Sequence, residues 1–156
     1  MKISRTLFFT LMIGLVMLTV LPACATQSNS ADIHLNMASM DLMPAEVHAA
    51  AVTVQEAYQF NVANPEIMKE IPCYCGCGNV GHASNYDCYV SDVDDAGNPS
   101  TGSGQAITFD NHALGCSICV DITQDVMRML KDGKSPGEAR ASIDATYSKY
   151  GPSNIP

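Results

Sequence analysis

The stretch Pro72-Cys73-Tyr74-Cys75-Gly76-Cys77-Gly78, followed by Gly81-His82 and then Cys88, interrupts an otherwise helical pattern and sets what the rest of the chain must fold around. Three cysteines stand at alternate positions. In an extended segment alternate side chains point the same way, about 6.5–7 Å apart, and the glycines at 76 and 78 let the backbone turn tightly enough to bring them round one ion. Four thiols and one imidazole therefore lie in a single short loop.

Reading outward, Pro44 sits where a first helical turn tolerates proline. Val47, Ala50, Ala51, Val54, Ala57, Tyr58 and Val62 recur at helical spacing, which predicts a first helix over residues 44–63. Asn64-Pro65 restarts a short helical turn through Lys69, and Pro72 closes it. Beyond the cysteine loop, residues 91–104 are rich in Asp, Gly, Asn, Pro and Ser and read as a surface loop, with a hairpin return along residues 106–109. Asp92, Asp94 and Gly97 imitate a calcium loop, but Ala96 and Ser103 occupy positions that should carry ligands. A second helix is predicted from Asp110 or Asn111, with Ile118, Ile122, Val126, Met129 and Leu130 on one stripe and Gly133 as its stop. A third starts at Ser135-Pro136, buries Ala139, Ile143, Tyr147 and Tyr150, and ends at Gly151-Pro152. The expected fold is mainly α, a small helical bundle with a cysteine-rich loop and a short β-hairpin.

The second helix opens on a second cluster, His112, Cys116 and Cys119, at spacings of four and three. On a continuous helix those side chains share a face. Six cysteines outside the cytoplasm also form an even set, so a disulfide framework is a serious rival. Against it, thiols at alternate positions are poorly arranged to pair among themselves, since bridged Cα atoms lie about 4.4–6.8 Å apart in a specific torsion. The two histidines are unnecessary for a staple and expected for thiolate and imidazole coordination. A thiol–disulfide oxidoreductase using Cys116 and Cys119 is the enzymatic alternative, but such motifs sit beside a βαβ pattern that this chain lacks. The expectation is a binding protein rather than an enzyme. Its candidate metal ligands are Cys73, Cys75, Cys77, His82, Cys88, His112, Cys116 and Cys119, with the two clusters meeting in one shared centre.

At the amino terminus Lys2 and Arg5 precede an uncharged apolar run over residues 7–21, which is short for a membrane span and suits an export signal. Leu21-Pro22-Ala23-Cys24 follows, with the residue order of a lipobox, so residues 1–23 are expected to be removed and Cys24 to carry lipid. Two acyl chains at about 0.8 kcal/mol per buried methylene would anchor the protein without a spanning helix. The expected location is the extracytoplasmic face of a bacterial membrane. Residues 24–43 read as a flexible tether, residues 44–151 as the domain and residues 152–156 as a tail. The formal charge of −8 becomes −10 once Lys2 and Arg5 are lost, which argues against nucleic acid or anionic lipid headgroups as partners.

The sequence resembles a family of bacterial lipoproteins named for a Pro-Cys-Tyr-Cys-Gly-Cys motif. The resemblance is carried by residues 71–78, Gly81-His82, Cys88, and His112 with Cys116-x-x-Cys119-Val120, flanked by Glu56-Ala57-Tyr58 and by Ile143 and Tyr147. It implies a lipid-anchored, mainly helical domain whose cysteines and histidines bind metal, with copper the suggested ion. The stretch 94–104 is longer than the family leads one to expect.

Thiolate-rich sites suit Cu(I), zinc and iron–sulfur clusters. The Cys-x-Cys-x-Cys array is less like a zinc finger than like a compact soft-metal loop, and the paired Cys-x2-Cys spacing of zinc sites occurs only once, at Cys116 and Cys119. Met37, Met40 and Met43 add thioethers at every third residue, with His34 before and His48 after, as an auxiliary soft-ligand set; their alternative use is to pack the start of the first helix. The expected cofactor is copper as Cu(I), with zinc as the alternative. The expected partners are the membrane, through lipid on Cys24, and a protein that donates or accepts copper.

Overall fold

The computed structural model describes residues 34–93 and 107–155. The expected export signal, Cys24, the first part of the expected tether and the stretch with Asp94 and Gly97 lie outside the described residues. Among the described residues, six α-helices run in the order α1 (Ala45–His48), α2 (Val52–Ala63), α3 (Pro65–Met68), α4 (His112–Gly115), α5 (Ser117–Lys131) and α6 (Pro136–Tyr147). Strands β1 (Val90–Val93) and β2 (Ile107–Phe109) pair antiparallel between α3 and α4, with a bulge between Val90 and Asp92. The protein is mainly α with one small hairpin, as its periodicity predicts.

The frame is α2, α5 and α6. Along α5, Ile122, Val126 and Met129 are buried and meet Ala57, Tyr58 and Val62 of α2 and Ala139, Ile143 and Tyr147 of α6 in one core. Helix α6 starts at a full capping box: the Ser135 side chain accepts from the Glu138 amide, and the Glu138 carboxylate accepts from the Ser135 amide at 2.8 Å. Tyr150 does not continue the stripe. The helix ends at Tyr147, whose hydroxyl donates to Asp125 Oδ2 at 3.0 Å, and Tyr150 is 56% exposed.

Two expectations for the amino-terminal half are corrected. The first helix is broken over residues 49–51, where Ala51 is extended (φ −61°, ψ 149°). The Gln55 amide compensates by donating to the carbonyls of His48 and Ala50 at 3.0 and 2.9 Å. The expected tether is also folded from Leu35 onward. Ala38 and Gln59 exchange two hydrogen bonds, Ala38 N to Gln59 O at 3.0 Å and Gln59 Nε2 to Ala38 O at 2.7 Å, and Asn64 Nδ2 holds the Asn36 carbonyl at 3.0 Å. Met43 is in the core, and Met37 and Met40 pack partly buried against it, so their thioethers serve as apolar packing rather than as an open ligand array.

Candidate metal centre

The Cys-rich segment is irregular because its residues leave it no repeating apolar stripe, and its backbone is held from outside. Gly76 makes the turn: its φ of 86° lies in the left-handed region, where a Cβ is strained, and it swings Cys77 into a 3-10 turn over Cys77–Val80. A second 3-10 turn, Tyr86–Cys88, delivers Cys88.

The carboxyl-terminal tail straps this loop. Asn154 Oδ1 accepts from the Cys73 amide at 2.6 Å, its backbone N–H donates to the Cys73 carbonyl at 3.2 Å, and its Nδ2 donates to the His82 carbonyl at 3.1 Å. Nδ2 also lies 3.6 Å from Cys77 Sγ. The tail can come this close because residue 151 is glycine; a Cβ there would stand 2.9 Å from the Tyr74 carbonyl oxygen.

The second cluster reaches the first through a break. Cys116 is extended (φ −122°, ψ 100°), ends α4 and caps α5, so His112, Cys116 and Cys119 do not lie on one continuous helical face. They converge all the same, and Cys75 joins them: the ligand atoms of Cys75, His112, Cys116 and Cys119 all lie within 4.8 Å of one another. Three further groups meet the same limit, Cys73 with Cys88 and Cys119, Cys73 with Cys75 and Cys77, and Cys77 with His82 and Cys88. Cys73 Sγ is 3.4 Å from both Cys75 Sγ and Cys119 Sγ, Cys75 Sγ is 3.4 Å from His112 Nε2, and Cys77 and Cys88 are 3.7 Å apart. All eight sequence-predicted residues thus stand in one contiguous cluster, and its six cysteines are free. Such Cys and His groups are close enough to bind a metal ion.

Electrostatics in the metal-free cluster concentrate charge on one sulfur. Hydrogen bonds with Cys119, and then with Cys77 and Cys88, pull the Cys73 thiol far down. Cys88 is pushed up, first through its hydrogen bond with Cys119, as are Cys119 and Cys77, each first through its hydrogen bond with Cys73. Burial pushes Cys75 up. Several thiolates cannot share a buried site without a counter-charge, and a metal cation supplies one.

Sequence reasoning missed the residues that support the cluster. Asp110, expected only as a helix cap, has Oδ2 3.5 Å from His82 Nε2 and accepts the His112 amide on Oδ1 at 2.7 Å. Its own carbonyl accepts from Tyr58 Oη at 2.6 Å, which ties it to the core. Beneath Cys119, whose carbonyl accepts from Tyr89 Oη at 2.9 Å and Asn85 Nδ2 at 3.3 Å, Thr123 donates to Asn85 Oδ1 at 2.9 Å. Asn85, Tyr89 and Thr123 are fully buried. A buried polar run at 85, 89 and 123 gives no periodic signal, and only their shared contact with one cysteine carbonyl reveals the role.

Fold and site together define a small, mainly helical domain carrying a cluster of six thiols and two imidazoles with the ligand chemistry of a metal centre. The chain belongs to the family described as proteins of unknown function with a PCYCGC motif, whose profile matches residues 22–156. No curated protein and no solved structure matches the chain.

Proposed function

We propose that this protein is a membrane-tethered, extracytoplasmic metal-binding lipoprotein that holds Cu(I) on Cys thiolates and His imidazoles, for copper buffering, delivery or resistance. The observation that carries the reading is the convergence of six free thiols with His82 and His112 from two distant parts of the chain. Sulfur outnumbers nitrogen in every group of donors, which favours a soft ion. An open cleft of about 330 Å³, lined by Thr53, Val54, Leu114 and Cys116 among others, gives a donor or acceptor protein access to one ligand. Attachment is assigned to a lipid on Cys24, the residue that follows the export signal. A Cys24→Ala protein is expected to lose all acyl mass; retained acyl mass would refute the anchor.

Zinc is the second reading, since Cys75, His112, Cys116 and Cys119 also form a Cys3His set. Competition separates the two. Reduced protein is expected to take Cu(I) from a weak Cu(I) chelator and to release protons as it does so. Stoichiometric zinc binding with no Cu(I) uptake would replace copper by zinc, and full-length protein whose six cysteines are bridged in pairs by intact mass would refute both.

A further inference from the structure

Resting on the metal-binding reading, we infer that the cluster holds two ions in adjoining subsites, each made of three thiols and one imidazole. The first subsite is Cys75, His112, Cys116 and Cys119, whose four ligand atoms are mutually within 4.8 Å. The second is Cys77, His82 and Cys88, likewise mutually within 4.8 Å, completed by Cys73, which is within that distance of Cys77 in one group and of Cys88 in another. Tetrahedral ligation at a metal–sulfur distance of about 2.3 Å puts sulfurs about 3.8 Å apart, and one ion so bound takes four donors. Within the subsites, Cys75 and Cys119 sulfurs are 3.6 Å apart and Cys77 and Cys88 sulfurs 3.7 Å apart, which suits that edge length, while eight donors exceed what one ion can use.

The histidines decide between one ion and two. An ion in the first subsite alone would leave His82 Nδ1 unpartnered, and that atom is buried with no hydrogen-bond partner among the described residues. A buried nitrogen left this way forfeits the hydrogen bond it had in water unless something ligates it. Asp110 faces the other ring nitrogen, Nε2, at 3.5 Å, the arrangement in which a carboxylate fixes the tautomer and leaves Nδ1 as the metal donor. His112 offers Nε2 instead, 3.4 Å from Cys75 Sγ. The rings of His82 and His112 meet edge to face, centroids 5.1 Å apart, so each can turn a nitrogen toward a different ion. Cys73 Sγ, 3.4 Å from Cys119 Sγ, sits on the seam and is placed to bridge the subsites.

The alternation of the motif then has a purpose. Cys75 serves the subsite containing His112, Cys77 serves the subsite containing His82, and Cys73 completes the latter from the seam between the two. The proposal is tested by native mass spectrometry of reduced full-chain protein titrated with Cu(I), together with ¹¹³Cd NMR of the same protein loaded with Cd(II). The expected results are saturation at two Cu(I) ions and two ¹¹³Cd resonances, with one ion retained by Cys116→Ser and one by Cys88→Ser. Saturation at a single ion, at more than two, or a lone ¹¹³Cd resonance overturns the inference without touching copper binding. Two Cd(II) or Zn(II) ions with no Cu(I) uptake overturn the copper reading and leave the two subsites standing.

Discussion

The helical pair α5–α6 and the loop over residues 71–89 are held together by different physics. In the pair, Ile122, Val126 and Ile143 are buried completely or nearly so, and each contributes on the order of 1.5–3 kcal/mol by leaving water. In the loop no regular helix or extended ladder forms before β1; its backbone is fixed by Asn154, Asn85 and two short 3-10 turns, and it buries the sulfurs of Cys73, Cys77 and Cys88 beside Ile71, Tyr86 and Tyr89. Asn85 N–H donates to the Ile71 carbonyl at 2.8 Å and closes the loop at its base. The frame can stand on burial. The loop gathers thiols that carry hydrogen bonds poorly and repel once ionised, so a bound cation is expected to add to the hydrogen bonds that fix it.

That contrast breaks most visibly on metal removal. Chelation of the loaded protein should lower the melting temperature by more than about 10 °C, because thiolate sites supply on the order of 10 kcal/mol of apparent binding free energy in small domains. Far-UV circular dichroism should change little, since most of the helix is in the frame. Cys75→Ser and Cys116→Ser should each lose metal and stability, and the double variant should lose less than their sum because both serve one subsite. Strict additivity would separate the two cysteines.

A cut in the frame should have the reverse signature. Ile122→Ala empties a fully buried position of α5 and should cost about 2–5 kcal/mol by denaturant unfolding, with the number of bound ions unchanged. Loss of metal in this variant would mean that frame and loop are one unit.

The strap gives a smaller, local effect. Asn154→Ala removes the acceptor for the Cys73 amide and the donor to the His82 carbonyl, a loss of about 1–3 kcal/mol. Hydrogen exchange should quicken at residues 71–89 and stay unchanged along α5 and α6; equal quickening in both regions would contradict the division.

The smallest expected effect is that of pH on the metal-free protein. Cys75, Cys77, Cys88 and Cys119 have raised values in the fold, so they keep protons that the unfolded chain releases. Their stabilisation is complete below the unfolded thiol value near pH 8.5 and is lost as pH rises above it. Cys73, which is lowered, works in the opposite direction: its contribution is present above that pH and lost as pH falls. Tyr74 and Tyr86, each pushed up to about 12 chiefly by burial, add to the alkaline loss from about pH 10. The net expectation is a melting temperature that declines above about pH 8.5 without metal, whereas metal affinity rises with pH because ligation expels protons. A flat profile in the metal-free protein would show that the thiols are not coupled.

Periodicity made the frame legible. Ser135-Pro136 with Glu138 announces the capping box, and the stripe Ile122, Val126, Met129 needs only a 3.6-residue repeat to be read. The eight clustered residues were legible from type and spacing, although the convergence of His112, Cys116 and Cys119 was expected from a smooth helix and arises from a break at Cys116. What spacing cannot carry is contact across the chain. Asp110 against His82, Asn154 against Cys73 and Thr123 beside Asn85 join residues tens of positions apart. The folded state of residues 35–43 escaped for the same reason, because the amide bonds from Gln59 and Asn64 that hold it are long-range.

The central claim is that both sequence clusters ligate one soft-metal centre, and X-ray absorption spectroscopy of the Cu(I)-loaded, reduced full chain tests it most directly. The predicted spectrum has a sulfur-dominated first shell with the outer-shell scattering of imidazole, and that imidazole signal weakens in both His82→Ala and His112→Ala. A shell of nitrogen and oxygen alone, or a spectrum unchanged by either histidine substitution, would contradict it.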